Sequence, residues 1–350
     1  MPKRSEQHRV LIVRLGAMGD ILHALPAITA LRRAQPEWYL GWAVEPQWRS
    51  LLAAHENAVR GPEMPLVDCL HVVPAKRWAR NPFAGTTLAE ISAMRRELRA
   101  AEYDVCIDLQ GAVRSALIAR AASPKRLIGE AAPREWAAKY LFGERVATHG
   151  VHVIEQAAEV ASAAAGVRLE PVQPWLPHDA AAERWCERSL PPGRLVVLNP
   201  GAGWGAKRWP SARYAEVARE LAARGMVVVA NAGPGEEGLA QEVASSSGGA
   251  ALPLTPTLNE LIALVRRSAL VIAGDTGPLH LACAVGKPVV GIFGPTDPAR
   301  NGPFGCANRV LRHPESRRDH TRRAEPETGL LTITPAAVLA AADELLKENA

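Results

Sequence analysis

Two short glycine- and aspartate-bearing turns constrain the fold of this chain more than any other feature. The first, Gly-Ala-Met-Gly-Asp at residues 16–20, follows the largely apolar residues 10–15, and the second, Gly-Asp-Thr-Gly-Pro-Leu-His at residues 274–280, follows the apolar residues 269–273. A short apolar run before a helix-like stretch predicts a strand-to-helix turn of an α/β domain. Such turns lie at the carboxyl ends of parallel strands, where open sheets bind ligands. One turn in each half therefore predicts two Rossmann-like domains that face each other across a cleft.

The composition is that of an ordinary soluble protein with room for two hydrophobic cores. The 350 residues are 48% hydrophobic and 22% charged. No apolar run reaches the roughly 18–20 residues that a membrane span needs. The five cysteines follow no metal-ligand or disulfide spacing, so we expect reduced packing residues in a cytoplasmic protein.

The charge balance bears on the kind of partner. A formal net charge of +5 favours a polyanionic partner of some kind. The sequence holds no zinc-finger spacing, RNP-like aromatic motif or helix-turn-helix pattern, so we expect no nucleic acid among the partners. An anionic lipid or a sugar phosphate fits this charge.

The order of apolar runs and helical stretches predicts the domain organisation. Alternation of strands and helices, which favours a parallel sheet, begins at residue 9 and ends near residue 166, and a second alternation begins at residue 195. Five prolines between them indicate a linker. We therefore predict an N-terminal domain at 1–170, a linker at 171–193, a C-terminal domain at 194–330, and a C-terminal helix at 331–350 that packs back on the N-terminal domain.

Asp20 is the acidic residue of the first turn. It follows two glycines that allow a tight turn and leave room for a ligand. Its carboxylate can cap the helix, or it can act as a general base that takes a proton from a sugar hydroxyl. Capping does not need a Gly-x-x-Gly before the acid, which favours the catalytic interpretation.

The second turn has the features of an anion site. Asp275, Thr276 and Gly277 open the predicted helix, and Pro278 suits its first turn. Free backbone N–H groups at this helix start, together with the Thr276 hydroxyl, predict a site for the diphosphate of a nucleotide. His280 can add a donor to a phosphate, or it can be a buried structural histidine.

A glycine-rich loop at residues 199–210 follows the first predicted strand of the second half. Its Lys207 lacks the Gly-Lys-Ser/Thr pattern of a P-loop, which argues against a P-loop NTPase, but the ammonium can neutralise a departing diphosphate. No acidic pair has the spacing of a magnesium site and no loop reads Gly-x-Gly-x-x-Gly, so we expect no metal and no cofactor. Glu236, after another strand, can grip ribose hydroxyls or belong to a helix N-cap.

A basic cluster, Lys-Arg-Trp-Ala-Arg at residues 76–80, stands before a predicted helix in the first half. Such a cluster is either a solvated face or a site that holds an anionic acceptor. The sequence leaves both interpretations open.

Four motifs in order resemble one enzyme family. They lie at residues 13–23, 207–210, 274–280 and 294–298, and they resemble the ADP-heptose:lipopolysaccharide heptosyltransferases, glycosyltransferase family 9. The segments at 76–78 and 108–115 are more similar to the members that add the first heptose to Kdo–lipid A. The resemblance implies a GT-B fold and an inverting displacement without metal.

The resemblance also implies a role for individual residues. Asp20 would be the general base that deprotonates a Kdo hydroxyl, and Lys207 would offset charge on the ADP leaving group. The donor ADP-heptose would be held by Glu236 at the ribose and, at the heptose and diphosphate, by Asp275, Thr276, Gly277 and His280. The anionic lipid A and Kdo acceptor would be met by Arg14, Lys76, Arg77, Arg80 and Arg114. The loop before Lys207 lacks hydroxyl residues, so its phosphate contacts would be mainly backbone.

These expectations lead to one main hypothesis and three alternatives. The main hypothesis is transfer of heptose from ADP-L-glycero-D-manno-heptose to the Kdo of Kdo2–lipid A, by a protein peripheral on the cytoplasmic face of the inner membrane. The same donor with another acceptor, either a second heptose position or a protein, is the first alternative. A nucleotide-sugar epimerase of the same fold and a non-catalytic anion-binding protein are the others.

Overall fold

The computed structural model describes residues 7–316 and 323–348. The chain divides into two compact units, Met1–His178 and Asp179–Ala350. The division falls inside the predicted linker at 171–193. Residues 1–6 of the predicted first domain, and residues 349–350 of the predicted C-terminal helix, lie outside the described residues.

The first unit is built on a sheet of six parallel strands in the order β3-β2-β1-β4-β5-β6. The strands are β1 (Arg9–Val13), β2 (Tyr39–Val44), β3 (Cys69–Val72), β4 (Val105–Asp108), β5 (Arg126–Glu130) and β6 (Glu144–Val146). The helices are α1 (Met18–Ala34), α2 (Ala75–Arg80), α3 (Gly85–Ala100), α4 (Val113–Ala121) and α5 (Val153–Ala165), with 3₁₀ helices at Pro46–Leu51 and Trp136–Tyr140.

The central strands β1 and β4 explain why this sheet was predictable. A parallel strand covered by helices on both faces reads as a continuous run of Val, Ile and Leu, and residues 10–13 are fully buried. In the register of the two strands Val13 lies beside Asp108. The loops that follow β1 and β4 therefore start side by side at one edge of the sheet.

The second unit repeats this architecture with the order β12-β11-β10-β7-β8-β9, and its strands are also parallel. The strands are β7 (Leu195–Asn199), β8 (Val227–Asn231), β9 (Ala251–Leu254), β10 (Leu270–Gly274), β11 (Val289–Phe293) and β12 (Asn308–Arg312). The helices are α6 (Ala180–Ser189), α7 (Ser211–Ala223), α8 (Glu237–Ser246), α9 (Leu258–Arg267), α10 (Gly277–Ala284), α11 (Pro298–Asn301) and α12 (Pro335–Glu348), with 3₁₀ helices at Gly205–Lys207 and Leu330–Thr332. The prediction of an α/β protein with two parallel sheets is confirmed.

The C-terminal helix α12 contributes to the core of the second unit. Its apolar side chains, among them Val338, Ala342 and Leu345, are buried in the core of the second unit, and the helix packs against α7, β11 and β12. That this helix also packs back on the N-terminal domain stays a prediction. The helical spacing identified a buried face, but an apolar face carries no information on which sheet covers it.

The second half of the predicted linker is also part of the second unit. Asp179 accepts hydrogen bonds from the N–H groups of Ala181 and Ala182, at 2.8 and 3.2 Å, and so caps α6. Helix α6 then packs against α9. Among the helices of the described ranges, none combines the length and the apolar character needed to span a membrane.

Candidate functional site

The first candidate site lies where β1 passes into α1. Asp20 is in the first turn of α1, and its Oδ2 accepts a hydrogen bond from the Ala17 N–H at 3.1 Å. Its Oδ1 is paired with the Arg14 guanidinium at 3.0 Å, and 36% of the side chain is exposed. The capping interpretation thus accounts for one oxygen. The carboxylate is nevertheless accessible, as a general base must be.

Arg14 lies beside Asp20 at the end of β1. Its guanidinium is mostly buried and donates to the Leu109 carbonyl and, at 3.2 Å, to the Asp20 carbonyl, besides pairing with the Asp20 carboxylate. These contacts orient the carboxylate and supply it with a positive charge. The structure therefore places Arg14 as a neighbour of Asp20, and its role at the acceptor stays a prediction.

The loop after β4 holds the turn that carries Asp20. The Gln110 side-chain oxygen accepts hydrogen bonds from the N–H groups of Leu15, at 3.0 Å, and Gly16, at 3.4 Å. Asp108 Oδ1 in turn accepts from the N–H groups of Gln110 and Gly111, both at 2.8 Å. Sequence reasoning did not assign Gln110, and the available signal was the polar Asp-Leu-Gln-Gly segment directly after a buried strand.

Asp108, the last residue of β4, is a buried carboxyl group next to the first site. Its Oδ2 has no hydrogen-bond partner among the described residues. Burial raises the pKa of Asp108 to about 6, against the opposing effect of hydrogen bonds from Gly111 and Gln110 and of the Arg14 charge. The charged form is therefore disfavoured by the fold, although the hydrogen bonds to Oδ1 retain part of its stabilisation.

The substitution Asp108→Asn is expected to stabilise the protein at neutral pH. An unfolded Asp has a pKa of about 4, so the raised value in the fold contributes stability that is complete below about pH 4 and is lost as the pH rises through about 6. Two pKa units correspond to about 3 kcal/mol. An Asn side chain keeps the Oδ1 acceptor and does not titrate. Urea unfolding measures the free energy of unfolding of both proteins. The advantage of Asp108→Asn over wild type in this free energy should be about 1–3 kcal/mol larger at about pH 7.5 than at about pH 4.5.

A matched variant gives the opposite sign. The pKa of Asp104 is lowered because, against the effect of burial, the carboxylate is hydrogen-bonded to Lys125 and to the Arg9 N–H. Asp104→Asn should thus lose stability at neutral pH and lose less in acid. A stability difference between Asp108→Asn and wild type that does not change with pH would contradict the assignment of a raised pKa.

The second candidate site lies where β10 passes into α10. Asp275 directly follows β10, and its carboxylate is paired with Lys207 Nζ and, at 3.0 Å, with His280 Nε2. All three side chains are largely buried. Burial alone would raise the pKa of Asp275, but the hydrogen bond and charge of His280 and the charge of Lys207 outweigh it and hold that pKa well below its ordinary range. Both the phosphate-binding and the buried structural interpretations of His280 are compatible with this position.

The start of α10 supplies backbone donors beside this cluster. Thr276 is the N-cap residue and Gly277 the first residue of the helix. The Thr276 hydroxyl donates to the Gly274 carbonyl at 3.2 Å and lies 3.5 Å from the Asn199 amide nitrogen. The first N–H groups of a helix have no partner within the helix and favour an anion. The geometry thus keeps the predicted diphosphate site available.

Glu236 reaches toward the loop after β7 instead of capping α8. It is the N-cap residue of α8 but makes no side-chain cap hydrogen bond. Its carboxylate lies so close to Gly201 that a Cβ there would collide with Oε2, and it is 3.6 Å from the Arg208 guanidinium. Burial raises the pKa of Glu236, with the Arg208 charge acting against it. Glu236 therefore stands at the N-cap position, as one interpretation predicted, but its side chain does not cap the helix, and the ribose role stays a prediction.

Two buried asparagines at the same edge were not predicted. Asn199 ends β7 and Asn231 ends β8, and the Asn231 amide donates to the Asn199 side-chain oxygen at 2.7 Å. The Asn231 side-chain oxygen is buried and has no partner among the described residues. Their position as the last residues of neighbouring strands was the available signal. An unsatisfied buried acceptor at a strand end is a candidate contact for a ligand donor.

The basic cluster forms the exposed face of α2. Lys76, Arg77 and Arg80 are exposed, while Trp78 between them is buried. Arg114 of α4 reaches the same place, since its guanidinium is 3.4 Å from the Ala75 carbonyl. All five predicted acceptor residues thus follow strands at the carboxyl end of the first sheet, and Arg14 is in addition paired with Asp20.

A cavity of about 670 Å³ adjoins this basic cluster, between α2, α3 and the start of the 3₁₀ helix Pro46–Leu51. Its rim is not purely cationic. Arg77 is paired with Glu90 at 2.6 Å, and Glu45 accepts a hydrogen bond from the Lys76 N–H at 2.8 Å. Lys76 and Arg80 therefore offer the exposed positive charge at this cavity.

Comparison with known proteins finds one family of glycosyltransferases. The model of the family described as glycosyltransferase family 9 (heptosyltransferase) matches residues 91–330. Lipopolysaccharide heptosyltransferase 1 of Escherichia coli K12 is 31% identical over 319 residues, which are 87% of this chain and 94% of that protein. Lipopolysaccharide heptosyltransferase 1 of Pseudomonas aeruginosa is 28% identical over 303 residues, which are 85% of this chain and 81% of that protein.

A solved structure extends this likeness to the fold. The E. coli heptosyltransferase WaaC with ADP-2-deoxy-2-fluoro heptose matches with a TM-score of 0.75 and 26% sequence identity. The match covers 98% of this chain and 100% of that one. The similarity therefore includes both units and both candidate sites.

Proposed function

Because this chain belongs to glycosyltransferase family 9, the heptosyltransferases, we propose that it transfers heptose from ADP-L-glycero-D-manno-heptose to the Kdo of Kdo2–lipid A. This is a step in building the inner core of lipopolysaccharide. The observation that carries the proposal is the buried cluster of Lys207, Asp275 and His280 at the start of α10, where a helix presents its first N–H groups. The similar E. coli protein is named for a complex with an ADP-heptose analogue, which supports the choice of donor.

The donor residues suit a leaving group that carries a growing negative charge. The bond between the anomeric carbon and the diphosphate oxygen breaks, and the electron pair stays with ADP. Lys207 and the backbone N–H groups of Thr276 and Gly277 stabilise this charge, so that they supply the electrostatic role that many glycosyltransferases give to a divalent cation. The Glu236 carboxylate accepts hydrogen bonds from the ribose hydroxyls. The transfer proceeds without metal.

Asp20 acts on the other reactant. The acceptor hydroxyl oxygen attacks the anomeric carbon from the face opposite the leaving group, which inverts the configuration, and Asp20 takes the hydroxyl proton. Arg14 keeps the carboxylate oriented through its pair with Oδ1. Gln110 fixes the backbone of the turn through two hydrogen bonds. Positioning of this kind lowers the activation free energy of the transfer, because a base that is slightly misplaced makes the reaction slower.

The acceptor is anionic and belongs to a membrane lipid. Its phosphates and carboxylates are met by the exposed cations of α2 and by Arg114, which the structure groups at one place. Since the acceptor is anchored in a bilayer, the protein works as a peripheral protein on the cytoplasmic face of the inner membrane.

ADP release tests the proposal directly. Wild-type protein is incubated with ADP-heptose, with and without Kdo2–lipid A, and ADP is measured together with the mass of the lipid product. The expected result is ADP release that depends on the acceptor and one added heptose per lipid. Release with a heptose-bearing core or a protein, but not with Kdo2–lipid A, would move the acceptor, and conversion of the donor without any acceptor would indicate an epimerase.

A further inference from the structure

An exposed group of apolar and aromatic side chains on the first unit is formed by residues other than those of the basic cluster of α2. It consists of Leu117 on α4 and of Trp136 and Tyr140 on the 3₁₀ helix Trp136–Tyr140, and we call these three residues the aromatic patch. Their exposed fractions are 54%, 68% and 64%. The two rings meet edge to face with centroids 5.8 Å apart, and α4 packs against the 3₁₀ helix. The patch is therefore an ordered surface.

The charges around the aromatic patch are mainly positive. Lys139 lies within the 3₁₀ helix, and its Nζ is 5.3 Å from the centroid of the Tyr140 ring. Arg134 precedes this helix and is exposed, and exposed Arg120 lies one turn of α4 beyond Leu117. The acidic residue in this segment, Glu135, is held by a hydrogen bond, since its carboxylate accepts from the Val113 N–H at 2.8 Å.

We propose that the aromatic patch lies against the surface of an anionic lipid bilayer, with its three apolar side chains among the headgroups. Trp and Tyr favour this depth because their rings are apolar at one end and polar at the other. Each Lys or Arg beside them gains from the negative potential of anionic lipids. One apolar centre with positive charge around it matches a bilayer interface, whereas a protein partner would have to offer an acidic rim of matching shape.

The inference deepens the proposed function and rests on it for the choice of membrane. It adds the surface that makes the contact, and this surface is formed by residues that have no part in the proposed donor or acceptor sites. A single patch of this size supports reversible, peripheral binding. The contact therefore depends both on the aromatic side chains and on the lipid charge.

Vesicle co-sedimentation tests the aromatic patch. Wild-type protein is mixed with vesicles of phosphatidylethanolamine and phosphatidylglycerol, or of phosphatidylcholine alone. We expect binding to the anionic vesicles that weakens with salt. The double variant Trp136→Ser/Tyr140→Ser should lose on the order of tenfold in partition coefficient, and Arg134→Gln and Lys139→Gln should each lose about fivefold. Trp175→Ser is the matched control, because Trp175 is a partly exposed Trp of the same unit that lies near Arg33 but outside the aromatic patch.

The outcomes separate this inference from the proposed function. Wild-type protein that stays in the supernatant, a double variant that binds as wild type does, or an equal loss in Trp175→Ser would overturn the inference. A dimer in sedimentation velocity that the double variant abolishes, without vesicle binding, would overturn it in favour of a second copy of the chain. The rate of heptose transfer to an acyl-free Kdo acceptor in solution should be the same in the double variant and in wild type, because this acceptor needs no membrane contact. If wild-type protein did not transfer heptose to this acceptor, the result would count against the proposed function alone.

Discussion

Replacing Asp20 with Asn is expected to lower kcat for heptose transfer by a factor of about 10² to 10⁴, the range that a general base contributes. An Asn at this position keeps an oxygen that accepts from the Ala17 N–H, so the turn and the start of α1 should remain intact. It cannot take a proton from the acceptor. ADP release in a single turnover measures the loss, and calorimetry should show unchanged affinity for ADP, because the proposed donor residues belong to the second unit.

A capping aspartate elsewhere serves as the control for this experiment. Asp179 accepts hydrogen bonds from two N–H groups at the start of α6, and it lies outside both glycine turns. Asp179→Asn should therefore leave kcat unchanged while testing the structural cost of the same chemical change. If Asp20→Asn retained wild-type kcat, Asp20 would be a capping residue and the proton would have another acceptor.

The parallel sheets were predictable because their central strands are buried on both faces. Residues 10–13 in β1 and residues 270–273 in β10 are fully buried, and they are the apolar runs that precede the two glycine turns. The position of α12 was not predictable in the same way. Its apolar spacing fits any sheet with an uncovered face, and the sheet of the second unit has such a face.

The site was predictable where a residue follows a strand directly. Asp275 directly follows β10 and Asp20 lies in the first turn of the helix after β1, so their location at the carboxyl edge of each sheet follows from the topology. The contacts between loops depend instead on strand order. Gln110 meets Leu15 and Gly16 because β4 is the neighbour of β1, and the pairing of Asn231 with Asn199 needs β8 beside β7. A single sequence does not contain these registers.

Lys207 is a second residue whose contacts could not be predicted from the sequence, and its replacement is expected to have a large effect on ADP binding and stability. The sequence assigned it a role at the leaving group, but its pairing with a residue 68 positions away is visible only in the fold. Lys207→Met should weaken ADP binding about 10- to 100-fold, the usual value of a hydrogen bond to a charged group. It should also destabilise the protein by about 3 kcal/mol, because removal of one partner leaves the buried Asp275 carboxylate with His280 alone.

The stability loss in Lys207→Met has a defined pH dependence. The lowered pKa of Asp275 contributes stability that is present above the unfolded value of about 4 and is lost as the pH falls through the folded value. Lys207 supplies part of that lowering, so the difference between wild type and Lys207→Met should be largest near neutral pH and should shrink below about pH 4. Urea unfolding over this range measures it, and Lys347→Met, an exposed lysine of α12, is the control.

A double variant separates the structural and the functional parts of Lys207. In Lys207→Met/Asp275→Asn neither partner is charged, so part of the stability lost in the single variant should return. ADP affinity and transfer should not return, because the cation that meets the diphosphate is still missing. Recovery of both properties together would mean that Lys207 acts only by neutralising Asp275, and that the charge on the leaving ADP is stabilised by the backbone N–H groups of α10.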